Sequence, residues 1–239
     1  KRVVALGEEF MLADLLDLGV QPIASTASGE NATFIGLQSH DLSDIEPIAG
    51  PEIDLEALAA LQPDLIVIWE SGVESAGGAA TLLGREARAA ERLAEYEDAA
   101  KKAGGALDAG SRTVSAATIY PGGSITVYVD GPIDLPQALV DIGFRLVPDV
   151  ATLPPTRSSA RASISLEQVQ LLAGDDLVLL QSSAIEGEDA AVAEVAASPT
   201  WALIPAQAAG RVHTVDRFGH TGLAGRIRLI GELTTTLAR

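Results

Sequence analysis

The chain contains no cysteine among its 239 residues. Structural disulfides, thiolate metal sites and a cysteine nucleophile are therefore excluded. Long apolar runs are also missing, and stretches such as residues 65–69 and 177–180 are far shorter than the roughly 20 residues of a membrane-spanning helix. Runs of this length are typical of strands that lie inside a folded domain.

Basic residues are scarce. The chain has 16 Lys and Arg against 33 Asp and Glu, which gives a formal net charge of −17. A surface this acidic repels phosphate backbones and argues against nucleic acid as a partner. The sequence opens with Lys1 and Arg2 directly before an apolar run, so we expect a mature or shortened form whose signal peptide has been removed.

The order of the elements predicts an α/β fold. A strand, a helix and a second strand follow one another at the start of the chain, which implies a parallel sheet with helices on its faces. Asp54 predicts the beginning of a later helix and Pro63 its end. The predicted strands are residues 3–6, 20–24, 65–69, 113–119, 177–180 and 212–215, with a hairpin-like stretch at 124–129; the other helices are residues 10–18, 80–103, 135–142, 166–172, 189–197 and 222–237.

Two short segments occur twice along the chain. Residues 53–58 match residues 164–169, and residues 15–20 match residues 139–144, in the same order. Between the copies lies a segment rich in alanine, glutamate and arginine, which predicts a long helix closed by two glycines, Gly104 and Gly105. The repeat favours two similar α/β lobes over one continuous doubly wound sheet. The predicted parts are an N-terminal lobe at residues 1–79, a bridging helix at residues 80–105 and a C-terminal lobe at residues 106–239.

Four stretches together resemble a known family. The last contains Trp201, Leu203, Pro205 and Ala206 ahead of a Gly-Arg-Val sequence. The four stretches are residues 3–6 with 15–20, then 53–69, 163–180 and 198–213. The chain resembles the helical-backbone (class III) periplasmic substrate-binding proteins, which serve ABC importers of iron siderophores, haem and cobalamin. One departure is the direct passage from residue 71 towards the long helix, which leaves the first lobe short by about one strand and one helix. Either the lobe is reduced or a segment between about residues 70 and 80 is absent.

The resemblance implies a fold of two Rossmann-like lobes with parallel sheets bridged by one long backbone helix. It also implies a monomer that binds a small-molecule iron chelate, a ferric siderophore, and delivers it to the membrane permease of an ABC importer. The protein would act outside the cytoplasm, either periplasmic or lipid-anchored on the outer face of the cell membrane. It would have no resident cofactor and no catalytic activity.

Other functions have weaker support in the sequence. Cobalamin or haem remains an alternative ligand. Direct metal-ion binding would draw on His213, Asp216 and His220, but three dispersed side chains without tight spacing are a weak signal. Enzyme motifs such as a nucleophile elbow or a phosphate-binding loop are missing, and His40 beside Ser39 and Asp41 is not a catalytic triad, whose members meet from separate loops.

Two glutamates occupy equivalent places in the repeat. Glu56 and Glu167 each fall in the first turn of a predicted helix, where a carboxylate interacts favourably with the helix dipole. That interaction alone could explain both. The resemblance offers a second interpretation, in which one exposed glutamate on each lobe docks onto arginines of the permease.

Ligand contacts are expected where parallel strands end, because parallel sheets place ligands at their carboxyl ends. Aromatic and arginine side chains follow several predicted strands or lie in an irregular loop: Trp69, Tyr120, Arg157, Arg161, Arg217 and Phe218. These loops offer arginine but no lysine. A strongly anionic ferric catecholate would need several converging cations, since burying unpaired charge is costly. We therefore expect a ferric hydroxamate, which is near neutral or weakly cationic, to bind more tightly.

Overall fold

The computed structural model describes residues 1–28, 32–49, 53–68, 83–131, 134–155, 160–182 and 185–238. Its contacts divide the chain into two compact units. The first unit is Lys1–Tyr96 with Phe218–Arg228, and the second is Glu97–Arg217 with Leu229–Arg239. These units and the predicted lobes divide the chain at different residues, because the boundary falls inside the long helix and residues 218–228 group with the first unit.

The first unit is built on four strands, β1 (Val3–Leu6), β2 (Ala24–Ala27), β3 (Glu46–Ala49) and β4 (Leu65–Ile68). They form a parallel sheet in the order β3-β2-β1-β4. The central strand β1 is buried along its whole length, as its unbroken apolar sequence predicts. The helices between these strands are α1 (Glu8–Asp17) and α2 (Leu55–Ala60). Asp54 caps α2 by accepting hydrogen bonds from the backbone N–H groups of Glu56 and Ala57, at 2.8 and 3.2 Å.

The strand predicted at residues 20–24 is misplaced, since β2 begins only at Ala24. The intervening residues turn the chain at the end of α1. Gly19 lies in the left-handed region, and the N–H of Val20 donates to the carbonyl oxygen of Leu15 at 2.9 Å, which is a Schellman ending. The N–H of Ile23 then donates to Val3, and pairing with β3 begins at Ala24.

The long helix α3 spans Glu86–Leu107 and contributes residues to both units. A long helix between the copies of the repeat is thereby confirmed, whereas the predicted ending at Gly104 and Gly105 is wrong. A methyl carbon added at Gly104 would lie 2.2 Å from the carbonyl oxygen of Ile142. Gly104 is therefore present because another backbone passes close to the helix, and the helix continues for three further residues.

The second unit has its own sheet of six strands: β5 (Thr113–Ile119), β6 (Ile125–Tyr128), β7 (Arg145–Leu146), β8 (Arg161–Ile164), β9 (Asp176–Gln181) and β10 (Val212–Asp216). Their order is β10-β9-β5-β6-β8, with β7 paired to β5. Strands β7 and β9 each pair with β5 in parallel, and β10 pairs with β9 in parallel. Strand β6 is antiparallel to both β5 and β8. The sheet is thus mixed, and β8 has the same direction as β5. The helices that follow α3 are α4 (Asp134–Ile142), α5 (Glu188–Ala196), α6 (Pro205–Ala208) and α7 (Gly222–Leu237).

Two separate sheets exclude the single continuous sheet that the sequence left open. The predicted helix at residues 166–172 is a 3₁₀ helix, Leu166–Leu171. The core of the second unit surrounds Trp201, whose indole N–H donates to Gln207 Oε1 at 3.2 Å. Among the helices of the described ranges, none combines the length and the apolar character needed to cross a bilayer.

Candidate functional site

Three neighbouring parallel strands of the second unit end at one edge of its sheet. Strand β5 pairs with β9, and β9 pairs with β10. The last residues of β9 and β10, Gln181 and Asp216, lie opposite each other. Tyr120 follows the end of β5, and Arg217 follows the end of β10. We call this the carboxyl edge of the second sheet, and it is where ligands bind in parallel sheets.

Tyr120 and Arg217, both predicted as ligand contacts, meet at this edge. The guanidinium carbon of Arg217 lies 5.2 Å from the centroid of the Tyr120 ring, which is cation–π distance. Both backbones are fixed. The N–H of Arg217 donates to the carbonyl oxygen of Gln181 at 3.1 Å, and the N–H of Tyr120 donates to Ser124 at 2.9 Å. The edge thus presents an aromatic ring and a cation held against it.

Glu188, which the sequence did not single out, lies beneath this pair. It is the first residue of α5, its side chain is fully buried, and its carboxylate forms an ion pair with Arg217. Its other oxygen accepts the backbone N–H of Ser182 at 2.9 Å. Nothing in the sequence distinguishes the buried Glu188 from Glu186 and Asp189, which lie in the same segment and are exposed. Only the return of β10 beside β9 brings Arg217 to it.

Tyr128 is buried in the same sheet. Its hydroxyl hydrogen-bonds Thr118 Oγ1 at 3.0 Å, and the guanidinium carbon of Arg161 lies 5.7 Å from its ring centroid. Burial raises the pKa of Tyr128, and the hydrogen bond to Thr118 and the charges of Arg161 and Arg217 offset part of that increase. Arg161 therefore contacts Tyr128, its cross-strand neighbour, and not the Tyr120 ring that Arg217 covers.

The remaining predicted ligand contacts fall differently. Trp69 and Arg157 lie outside the described residues. Phe218 follows Arg217 directly and is exposed, and it groups with the first unit. Tyr120, Arg161 and Arg217 are therefore the predicted contacts whose surroundings in the second unit are known.

Glu56 and Glu167 are both exposed, and each lies in the first turn of a helix that follows a strand of its own sheet. Ile164 at the end of β8 is paired through Ile125 with Ile119 at the end of β5, so Glu167 lies at the same edge as Tyr120. Glu56 follows β3, whose last residue pairs with the end of β2. The Ser165 hydroxyl and the backbone N–H of Glu167 itself donate to the Glu167 carboxylate and lower its pKa.

The histidines do not gather at the carboxyl edge. His213 Nε2 lies 3.0 Å from Asp176 Oδ1, in a cluster with Arg112 and Arg211 at the other end of β9. His40 lies in the first unit, 3.8 Å from Asp17. Within the part of the chain that the structure describes, no group of three or more His, Asp or Glu side chains could hold a metal ion.

Comparison with known proteins gives a consistent result. Residues 69–217 match the periplasmic binding protein family. No curated protein sequence matches the chain. Its structure is similar to that of SirA from Staphylococcus aureus complexed with staphyloferrin B, with 20% identity, a TM-score of 0.77, and coverage of 98% of this chain and 92% of SirA.

Two further structures are similar at the same level. One is the FhuD-fold periplasmic binding protein component of a ferrichrome ABC transporter from Bacillus subtilis, with 19% identity, a TM-score of 0.79, and coverage of 100% of this chain and 94% of that one. The other is the Fe³⁺–Desferal-bound siderophore-binding protein FhuD from Vibrio cholerae, with 20% identity, a TM-score of 0.77, and coverage of 99% and 97%. At these identities the likeness shows the fold, and the family match extends over more than half of the chain. The chain therefore belongs to the periplasmic binding protein family, in the helical-backbone class with the FhuD fold.

Proposed function

We propose that the protein binds a ferric siderophore outside the cytoplasm and delivers it unchanged to an ABC importer. The observation that carries the proposal is the pairing of Tyr120 with Arg217 at the carboxyl edge of the second sheet. A guanidinium group suits the oxygen atoms that surround chelated iron, and an aromatic face suits the apolar linkers of the chelator. Membership of the periplasmic binding protein family and the siderophores named for SirA and FhuD support the same function.

A ferric hydroxamate is the favoured ligand, and the protein acts as a monomer that is periplasmic or anchored by a lipid. The described carboxyl edge of the second sheet carries Arg217, with Arg161 further along the sheet and no lysine. A chelate with little net charge suits this small number of cations, since a buried anion needs several of them. Cobalamin, haem and a bare metal ion are the competing ligands.

Equilibrium binding of a ferric hydroxamate, a ferric catecholate, haem, cobalamin and free metal ions tests the proposal. We expect the hydroxamate to bind most tightly and to be recovered unaltered. Arg217→Gln should weaken its binding by about tenfold or more, because a hydrogen bond to a charged group is lost. Arg145→Gln, at an exposed arginine of β7, is the matched control and should bind as the unaltered protein does. Failure to bind any chelate, or chemical conversion of one, would refute the proposal.

The exposed glutamates Glu56 and Glu167 are the proposed contacts with the permease. The place of Glu167 at the carboxyl edge of the second sheet supports this assignment, because ligand and permease would then approach the same edge of that unit. Replacing both with Ala should abolish uptake in cells while the affinity for the chelate stays within about twofold, since removing exposed charge costs little stability. Glu97→Ala with Glu194→Ala removes two other exposed helix carboxylates and should leave uptake intact. A loss of affinity as large as the loss of uptake would show that the docking assignment is wrong.

A further inference from the structure

The carboxyl edge of the second sheet contains an internal anion that the proposed ligand contacts leave unexplained. Glu188 is fully buried, and the Arg217 side chain that pairs with it is 15% exposed. Burying a carboxylate carries a large desolvation cost unless it is paired and hydrogen-bonded. A carboxylate at this position therefore needs an account of what it contributes.

Glu188 is held by donors on every side that the structure describes. One oxygen pairs with Arg217, and the other accepts the N–H of Ser182 at 2.9 Å. With the Gln181 amide oriented to satisfy both of its atoms, its nitrogen donates to Glu188 at 3.2 Å and its oxygen accepts the N–H of Ile119 at 2.8 Å. These bonds link the ends of β5 and β9 to the carboxylate, so its position is fixed.

The ion pair determines the charge next to the Tyr120 ring. Arg217 contributes one positive charge, and the amino end of α5 adds a partial positive charge. The ionised Glu188 lies against both of them and cancels most of their field at distances beyond the pair itself. A ligand above Tyr120 therefore meets an arginine whose geometry is fixed but whose charge is already balanced.

We propose that Glu188 determines ligand specificity by neutralising Arg217, so that the site accepts chelates of low net charge and discriminates against strongly anionic ones. This inference rests on the proposed function and deepens it, because it names the residue that sets the charge class of the siderophore. Arg217 then serves as an oriented donor held over the Tyr120 ring, and not as an electrostatic trap for anions.

Glu188→Gln tests this role, because glutamine keeps the shape and an acceptor oxygen but removes the charge. Dissociation constants of one ferric hydroxamate and one ferric tris-catecholate would be measured side by side at the same ionic strength. We expect the affinity ratio to shift towards the catecholate by about tenfold or more, since the site then carries one negative charge fewer against a multiply charged anion. The shift should shrink as salt is added, because ions screen the interaction.

Matched variants separate charge from structure. Glu186→Gln removes the same formal charge from an exposed position two residues away and should change the ratio by less than about twofold. Glu188→Asp keeps the charge and should preserve the ratio even if both affinities fall. If Glu188→Gln does not fold, the double variant Glu188→Gln with Arg217→Gln removes both charges together, and its ratio should stay within about twofold of that of the unaltered protein.

The outcomes distinguish this inference from the proposed function. If Glu188→Gln leaves the hydroxamate-to-catecholate affinity ratio unchanged, even with both chelates weakened equally, the role of Glu188 is overturned while siderophore binding stands. Binding of neither chelate by the unaltered protein would instead refute the proposed function itself. Melting temperatures of all the variants show whether each one is folded under the assay conditions.

Discussion

Asp17 and Asp141 occupy the same place in the two copies of the repeat, yet their surroundings differ. Asp17 is buried in the first unit, where it lies 3.7 Å from Arg92 Nη2 and accepts the N–H of Ala224 at 3.2 Å. Asp141 is exposed in the second unit and accepts a hydrogen bond from Gln137 at 2.7 Å. The repeat therefore reproduces the helix and the turn after it, but not the contacts of the polar residue between them.

In the second unit, Asp176 takes the buried position. It accepts hydrogen bonds from Arg112 at 2.6 and 3.1 Å, and Arg112 also donates to the carbonyl oxygen of Leu237 at 3.3 Å. Each unit thus binds one end of α7. The negatively charged carboxylate of Asp17 binds the amino end of α7, and the positively charged guanidinium of Arg112 binds its carboxyl end. These are the charges that the helix dipole favours at each end. Apolar periodicity can be repeated locally, whereas a buried ion pair depends on partners that arrive from elsewhere in the chain.

The largest expected effect follows from removing these buried carboxylates. Asp176→Asn should lower the free energy of unfolding by about 3–5 kcal/mol, because it leaves Arg112 partly buried without its counter-ion. Asp17→Asn should cost less, about 1–3 kcal/mol, because Arg92 is more exposed and its contact is longer. Urea-induced unfolding followed by circular dichroism measures both values.

Asp141→Asn is the matched control, since it changes the repeat partner of Asp17 at an exposed position. Its effect should stay within about 0.5 kcal/mol. If Asp141→Asn destabilised the protein as much as Asp17→Asn, the contrast between the two copies would be wrong.

A smaller change in the free energy of unfolding is expected where α3 contacts the two copies of the repeat. Leu18 packs against Ala89 of α3, whereas the matching residue Ile142 approaches the bare backbone at Gly104. Gly104→Ala should destabilise the protein by about 1–3 kcal/mol through overpacking against a carbonyl group. Its neighbour Gly105 has no atom within 4 Å of an added methyl carbon. Gly105→Ala should therefore stabilise the helix by about 0.5–1 kcal/mol. Thermal unfolding of both variants measures these effects. If both variants shifted the melting temperature in the same direction, the close contact of Gly104 with the Ile142 carbonyl group would be contradicted.

The smallest expected change concerns pH and the first unit. Burial lowers the pKa of His40 below 6.5, with the charge of Asp17 opposing and that of Arg92 adding to the effect. The unfolded chain therefore takes up the proton first as pH falls. The His40 contribution to stability is complete above pH 6.5 and is lost as pH falls through the lowered value. Unfolding free energies between pH 8 and pH 5 should decline less steeply in His40→Gln, and an equal decline in both proteins would exclude this role.

Much of the fold could be predicted because buried strands and their caps are encoded locally. The bounds of β5 and α7 were predicted as they are observed, from apolar runs bordered by turn residues. Strand β3 was missed because it lies at the edge of its sheet, is mostly exposed and contains Pro47, so it shows no apolar alternation. Gly104 was misinterpreted because a glycine required by a passing backbone has the same sequence signal as one that ends a helix.

The site was predictable only in part, for a related reason. Tyr120 and Arg217 directly follow buried strands, and the rule for parallel sheets places such residues together at one edge. Glu188 could not be recognised, because its burial depends on Arg217, which lies 29 residues further along the chain.

The burial of Trp201 has an optical consequence. The chain has two tryptophans, and this one is enclosed in the core of the second unit with its indole N–H bound to Gln207. A Trp69→Phe protein would retain a single emitter shielded from water. Its fluorescence would report the packing of the second unit alone, so that unfolding of that half of the molecule could be followed separately from events in the first.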